Sequence, residues 1–151
     1  MRLSCQKAFV LAVMLTVACG EPNAPPLVLV LFTLESVDSR PLPFVIGSNG
    51  PDTLTLLSAT VTFDVAGKAR ITVHTRSVTV PNAPTEATNT SRYSYTIVGD
   101  SITFDYDPPC PPNALCVAPP YGKLTSNTLT LFYWISPDAS IPYVYRMTEQ
   151  Y

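Results

Sequence analysis

Few side chains in this chain can do chemistry. Its 151 residues include one histidine, His74, four cysteines (Cys5, Cys19, Cys110 and Cys116) and one close group of acids, Asp100, Asp105 and Asp107. A structural zinc site closes with four ligands, and His74 with two thiolates falls short of that, so no metal and no cofactor is expected. A Ser-His-Asp hydrolase sets its nucleophile on a strained turn such as Gly-X-Ser-X-Gly, a pattern this sequence lacks. His74, mid-strand beside Thr75 and Arg76, reads as a surface or barrel-rim residue, and the chain is expected not to be an enzyme. Asp105 and Asp107 share a strand face without a loop of regularly spaced calcium ligands, and Arg92 falls opposite Asp107, so they read as solvated charge. Asn89-Thr90-Ser91 counts only as loop composition. With 13% charged residues and a net charge of −2, nucleic acid is excluded as a partner, because it calls for clustered Lys and Arg.

The cysteines carry the remaining chemistry. Arg2 and Lys7 precede residues 8–18, which are apolar apart from Thr16 and end in small residues. That is the pattern of a secretory signal, and the stretch is too short to cross a bilayer as a helix. Its end, Leu15-Thr16-Val17-Ala18-Cys19-Gly20, resembles the lipobox of bacterial lipoproteins. The resemblance implies removal of residues 1–18 as a signal-peptide helix, and acylation of Cys19 (palmitate among the chains) as the first residue of the mature protein. Gly20, rather than Asp, implies sorting to the outer membrane, facing the periplasm or the surface. Ordinary cleavage after Ala18 would instead leave a bare thiol at Cys19. Counting favours the lipid: once Cys5 is removed, acylation of Cys19 leaves Cys110 and Cys116 as an even pair. In the Pro-rich run Cys110-Pro-Pro-Asn-Ala-Leu-Cys116 of an exported protein, that pair is expected to be a local disulfide. Loss of Arg2 and Lys7 lowers Lys and Arg from 9 to 7 against 11 Asp and Glu, a net charge of −4. Such a body is not expected to cling to an anionic surface by its own charge, so the lipid is expected to do the tethering.

The elements that follow are short. Residues 19–26 are a Pro-rich tether, and residues 27–151 are expected to form one domain. Runs rich in Val, Ile, Thr, Tyr and Leu alternate with Gly, Pro, Asn and Asp, which signals antiparallel β structure. Residues 27–37 form the first run and end in the turn Asp38-Ser39-Arg40-Pro41-Leu42-Pro43. Along residues 52–65 the apolar phase moves from Leu54 and Leu56 to Ala59, Val61, Phe63 and Val65, which requires a bulge near Leu57 and Ser58. Ala66-Gly67 turns the chain into residues 68–80, where Ile71 and Val73 face inward and a second bend is expected near Arg76 and Ser77. Residues 81–91 read as a polar surface loop. Val98-Gly99-Asp100-Ser101 suits a two-residue hairpin turn with Gly at its first central position. That turn pairs Ile97 with Ile102, Tyr95 with Phe104 and Tyr93 with Tyr106 on one face, and Arg92 with Asp107 on the other. A second hairpin at Ser126-Asn127 pairs Leu124 with Leu129 and sets Gly122 opposite Leu131. Its partner strand, residues 128–135, carries Phe132, Tyr133, Trp134 and Ile135, and Tyr143, Tyr145 and Met147 lie in phase on a closing strand. About eight sequential strands with no room for crossover helices predict an all-β, antiparallel up-and-down barrel, with a two-sheet β-sandwich as the alternative.

From residue 27 onward the chain resembles small bacterial lipocalin-like lipoproteins. The resemblance lies in Phe32-Thr33-Leu34-Glu35-Ser36-Val37-Asp38-Ser39-Arg40-Pro41-Leu42-Pro43 and in Tyr95-Thr96-Ile97-Val98-Gly99-Asp100-Ser101-Ile102-Thr103-Phe104. It implies an exported β-barrel held at the envelope by its lipid. Aromatic residues crowd the later part of the chain, and Tyr combines an apolar body with a polar handle. Tyr93, Tyr95, Phe104 and Tyr106 are therefore candidate lining for a pocket that takes a small apolar or amphiphilic ligand, although a small barrel commonly fills its interior with side chains. The other function class is a structural or interaction lipoprotein with a filled barrel, using residues 81–91, residues 107–120 or a Phe132/Trp134 face against another envelope protein.

Overall fold

The computed structural model describes residues 29–132 and 141–150. The signal sequence, Cys19, the tether, Trp134 and Tyr151 lie outside the described residues. Ten strands and no helix are found in the described part: β1 (Val30–Val37), β2 (Arg40–Pro41), β3 (Phe44–Asn49), β4 (Asp52–Phe63), β5 (Lys68–Val78), β6 (Thr85–Val98), β7 (Ser101–Tyr106), β8 (Tyr121–Leu124), β9 (Thr128–Phe132) and β10 (Tyr143–Gln150).

From β4 to β10 each strand pairs antiparallel with the next; β10 then pairs with β1, and β1 with β4. Eight strands thus close an up-and-down barrel, as the alternation of short runs and turns predicts. One continuous ladder surrounds the core, so the sandwich alternative does not apply. Closure satisfies backbone donors and acceptors that an open sheet would leave exposed at its edges.

Two further strands occupy the place where the barrel splits. β1 and β4 pair only from Val30 opposite Phe63 to Thr33 opposite Thr60, and then diverge. Beyond that point β2 pairs with the freed edge of β1, and β3 with the freed edge of β4. The sequence predicts a turn followed by a Pro-limited extended piece over residues 38–43 and no strand over residues 44–49, where Gly47, Asn49 and Gly50 weaken the β pattern. Phe44 decides otherwise by burying its ring in the core beneath the Arg40 guanidinium, 4.5 Å from the ring centre.

The bulge in β4 is where the phase shift put it. Leu56 pairs with Thr75 and Ser58 with His74, which leaves Leu57 without a partner and lets Leu56 and Ala59 both face inward. The second bend near Arg76 and Ser77 is absent. β5 keeps register with β4 from Thr75 to Val78, and with β6 along its length. Val78 and Val80 break the alternation because this end of the strand runs past the core, and Val80 is exposed. The polar loop at residues 81–91 is also corrected, since β6 begins at Thr85. Side chains on residues 85–92 are exposed, but the backbone pairs with β5, and Thr72–Thr90 (3.1 Å) and Arg76–Glu86 (2.8 Å) join the two strands.

The β6–β7 hairpin has the register the sequence predicts, from Val98 opposite Ser101 to Tyr93 opposite Tyr106, and Gly99 takes the φ of +65° that its turn needs. One side-chain pairing differs. Asp107 stands beside Arg92 through the backbone, but its carboxylate meets Lys68 at 2.9 Å on the next strand. The β8–β9 hairpin also keeps its expected register, with Gly122 opposite Leu131 and Leu124 opposite Leu129. In the 107–120 connection, Cys110 and Cys116 form a disulfide with 6.3 Å between Cα atoms.

Candidate functional site

The barrel has two unlike ends. Tyr143 and Tyr145 are fully buried toward the end that carries the disulfide loop, and burial pushes both phenols up, so they stay neutral. At that end Tyr106 donates its hydroxyl hydrogen to the carbonyl of Val117 at 3.0 Å and so fastens the loop.

Among the described residues, the opposite end is open. The turn at residues 64–67, the tip of the β6–β7 hairpin and the β8–β9 turn surround it, and β1 begins there. Each turn is held by local chemistry. The Asp64 carboxylate accepts the backbone N–H groups of Ala66 and Lys68, both at 2.9 Å, while Gly67 adopts a φ of +75°. The Tyr95 N–H reaches the carbonyl of Gly67 at 3.0 Å, and the Leu124 N–H reaches that of Asp100 at 2.7 Å, which ties the three turns together.

Between these turns lies a recess of about 440 Å³. Phe32 and Phe63 form its floor, Tyr95, Ile97, Leu124 and Met147 its walls, and Thr125 and Ser126 part of its rim. Phe63 organises the floor, with its ring 4.9 Å from that of Tyr95, 5.8 Å from that of Phe32 and 6.1 Å from that of Phe104. The Tyr95 hydroxyl donates to the carbonyl of Asp64 at 2.9 Å, and burial followed by the Asp64 charge raises its pKa. An apolar concavity of this size with a few polar groups at its edge suits a small apolar or amphiphilic molecule. Among its described lining residues, none pairs a nucleophile with a base.

The four aromatic residues picked from the sequence do share the inward face, but they do different things. Tyr95 lines the recess. Tyr93 and Phe104 are buried core side chains beneath it, in edge-on contact at 5.7 Å, and Tyr106 stands at the end that carries the disulfide loop. Sequence reading missed Phe32, Phe63, Leu124 and Met147. Their inward phase is visible strand by strand, but only closure of the barrel through the β1–β4 pairing brings them together.

His74 sits on the outer surface, 3.2 Å from Glu86, which also accepts from Arg76. The hydrogen bond from Arg76 is the main force holding the Glu86 carboxyl below its usual range. Asp100 faces Lys123 at 3.6 Å, and among the described residues no group of three His, Cys, Asp or Glu is placed to hold a metal ion. No protein-family model, curated protein or solved structure matches this chain.

Proposed function

We propose that this chain is an exported, lipid-anchored envelope protein, similar to the bacterial lipocalin-like lipoproteins, whose barrel holds a small apolar or amphiphilic ligand at its open end. It binds rather than catalyses. The observation that carries the reading is the 440 Å³ recess with Phe32 and Phe63 as its floor. The Cys19 anchor suits it, because β1 starts at the open end and Leu29 is only ten positions after Cys19. An extended chain of that length reaches roughly 35 Å, so the recess stays close to the bilayer that would supply its ligand.

Two measurements test the two halves. Radiolabelled palmitate enters the wild type and not Cys19→Ser, and equal labelling of both removes the anchor. Native mass spectrometry of the protein finds a small molecule on the wild type that Met147→Trp, which fills the recess, loses. A ligand retained by Met147→Trp places it elsewhere. One observation favours the alternative of an interaction lipoprotein: Leu115 and Val117 are fully or largely exposed on the disulfide loop at the closed end, where an envelope protein could cover them. Crosslinking from that loop to a partner, with an empty recess, would favour it.

A further inference from the structure

Charge on this protein is unevenly placed. The outer face near the open end holds Lys68 and Arg70 on β5 and Arg92 on β6, with Arg70 directly opposite Arg92. Like charges directly opposite one another destabilise a strand pair, and an anion held between them relieves that repulsion. Lys68 has the Asp107 carboxylate at 2.9 Å, whereas neither arginine meets a carboxylate among the described residues. Of the nearby acids, Asp64 closes its own turn, Asp107 meets Lys68 and Asp100 faces Lys123, while Asp105 stands opposite Ser94 and meets neither arginine. The two guanidinium groups, Lys68, Thr62 and Leu29 line a shallow recess of about 300 Å³ on the barrel wall, with Asp64, whose carboxylate is taken by its own turn, at its edge.

The rim beside this patch is apolar in an unusual way. Val65 at the tip of the β4–β5 turn is 61% exposed, and Val98 at the tip of the β6–β7 hairpin is 74% exposed. Ile97 and Leu29 are exposed next to them. Turn tips are ordinarily polar. Here two neighbouring tips, tied together by the Tyr95–Gly67 hydrogen bond, carry branched aliphatic side chains toward solvent.

We propose that the open end of the barrel docks on the surface of an anionic phospholipid bilayer. Val65, Ile97 and Val98 enter the boundary between headgroups and acyl chains, and Arg70 and Arg92 bind lipid phosphate. Apolar tips beside cations match both layers of that surface, and planar guanidinium groups suit phosphate oxygens. Charge complementarity selects the anionic bilayer, and the net negative charge of the whole chain does not oppose a contact this local, since charges beyond about 10 Å are screened at ordinary ionic strength. Docked in this way, the recess floored by Phe63 opens into the membrane. The inference depends neither on the acyl anchor nor on a resident ligand.

Vesicle sedimentation tests it with the chain beginning at residue 19 and carrying Cys19→Ser. Among the described residues, all buried core side chains lie between Phe32 and Tyr145, and this chain keeps them. On vesicles of phosphatidylglycerol and phosphatidylcholine (3:7) it sediments, and on phosphatidylcholine alone it binds at least fivefold less. Arg70→Gln/Arg92→Gln and Val65→Asp/Val98→Asp each lower binding at least fivefold. Leu115→Ser/Val117→Ser, at the closed end, leaves it unchanged. Every substituted side chain is exposed, and an unchanged thermal midpoint confirms folding. Absence of sedimentation, equal binding to neutral vesicles, or equal binding by the rim and closed-end variants overturns the proposal. Because no anchor or ligand takes part, such a failure leaves the palmitate and mass-spectrometry results standing.

Discussion

Replacement of Phe63 by Ala probes the floor of the recess most sharply. The side chain is 6% exposed and touches three other rings, those of Phe32, Tyr95 and Phe104. Truncating a buried Phe to Ala costs ~3–5 kcal/mol, of which part is the cavity left behind. Here the vacated space joins an open recess that water can enter, so the lower end, ~3 kcal/mol, is expected. Of that loss, the edge-on contacts with Phe32 and Tyr95 contribute roughly 0.5–1.5 kcal/mol each beyond simple burial. For a domain of this size the thermal midpoint falls by roughly 10 °C. Ile97→Ala, on the exposed wall of the same recess, is the control and costs under about 1 kcal/mol. Urea and thermal unfolding followed by far-ultraviolet circular dichroism measure both. If Phe63→Ala loses no more than Ile97→Ala, the ring is not the packed floor described here and the recess has been misplaced.

Other outcomes follow from single contacts. Cys110→Ser/Cys116→Ser lowers stability by ~2 kcal/mol, the chain-entropy value for so short a loop, and raises protease cleavage within residues 107–120; an unchanged urea midpoint contradicts this. Gly122→Ala destabilises by at least ~1–3 kcal/mol, because the added Cβ would run into the Thr130 carbonyl oxygen on β9; a neutral effect on the unfolding midpoint would show that β8 and β9 lie farther apart. Glu86 is held below the ordinary carboxylate range, first by its hydrogen bond from Arg76, so its small contribution is present above its unfolded pKa and is lost as pH falls through the lower folded value. Glu86→Gln accordingly flattens the acid limb of the stability profile, and an unaltered limb refutes the pairing.

How much of this was legible in the sequence depends on the range of each interaction. The β6–β7 register could be read because Tyr93, Tyr95 and Ile97 alternate up to a Gly-centred turn and Phe104 alternates away from it, so a one-residue slip would expose the aromatic face. The bulge at Leu57 was legible for the same reason, since the period of two breaks there. Other features carry no local period. Residues 85–91 pair with β5 through backbone groups, and their Thr, Ala and Asn side chains resemble a loop. β3 hides among turn-forming residues and exists because β4 has an edge to satisfy where β1 leaves it. The carboxylate of Asp107 prefers Lys68 to Arg92, a choice set by side-chain reach across three strands rather than by register. The floor of the recess was the least legible part. Phe32 and Phe63 become neighbours only when the first barrel strand finds β4, and Tyr93 and Phe104, which sequence alone cannot separate from Tyr95, lie one layer too deep.

The central claim is that the open end binds an apolar or amphiphilic molecule, and a titration with the fluorescent polyene fatty acid cis-parinaric acid tests it most directly. A saturable rise in fluorescence at one molecule per barrel is predicted, displaced by palmitate and abolished by Met147→Trp. A signal that does not saturate, or one that Met147→Trp leaves intact, would contradict it.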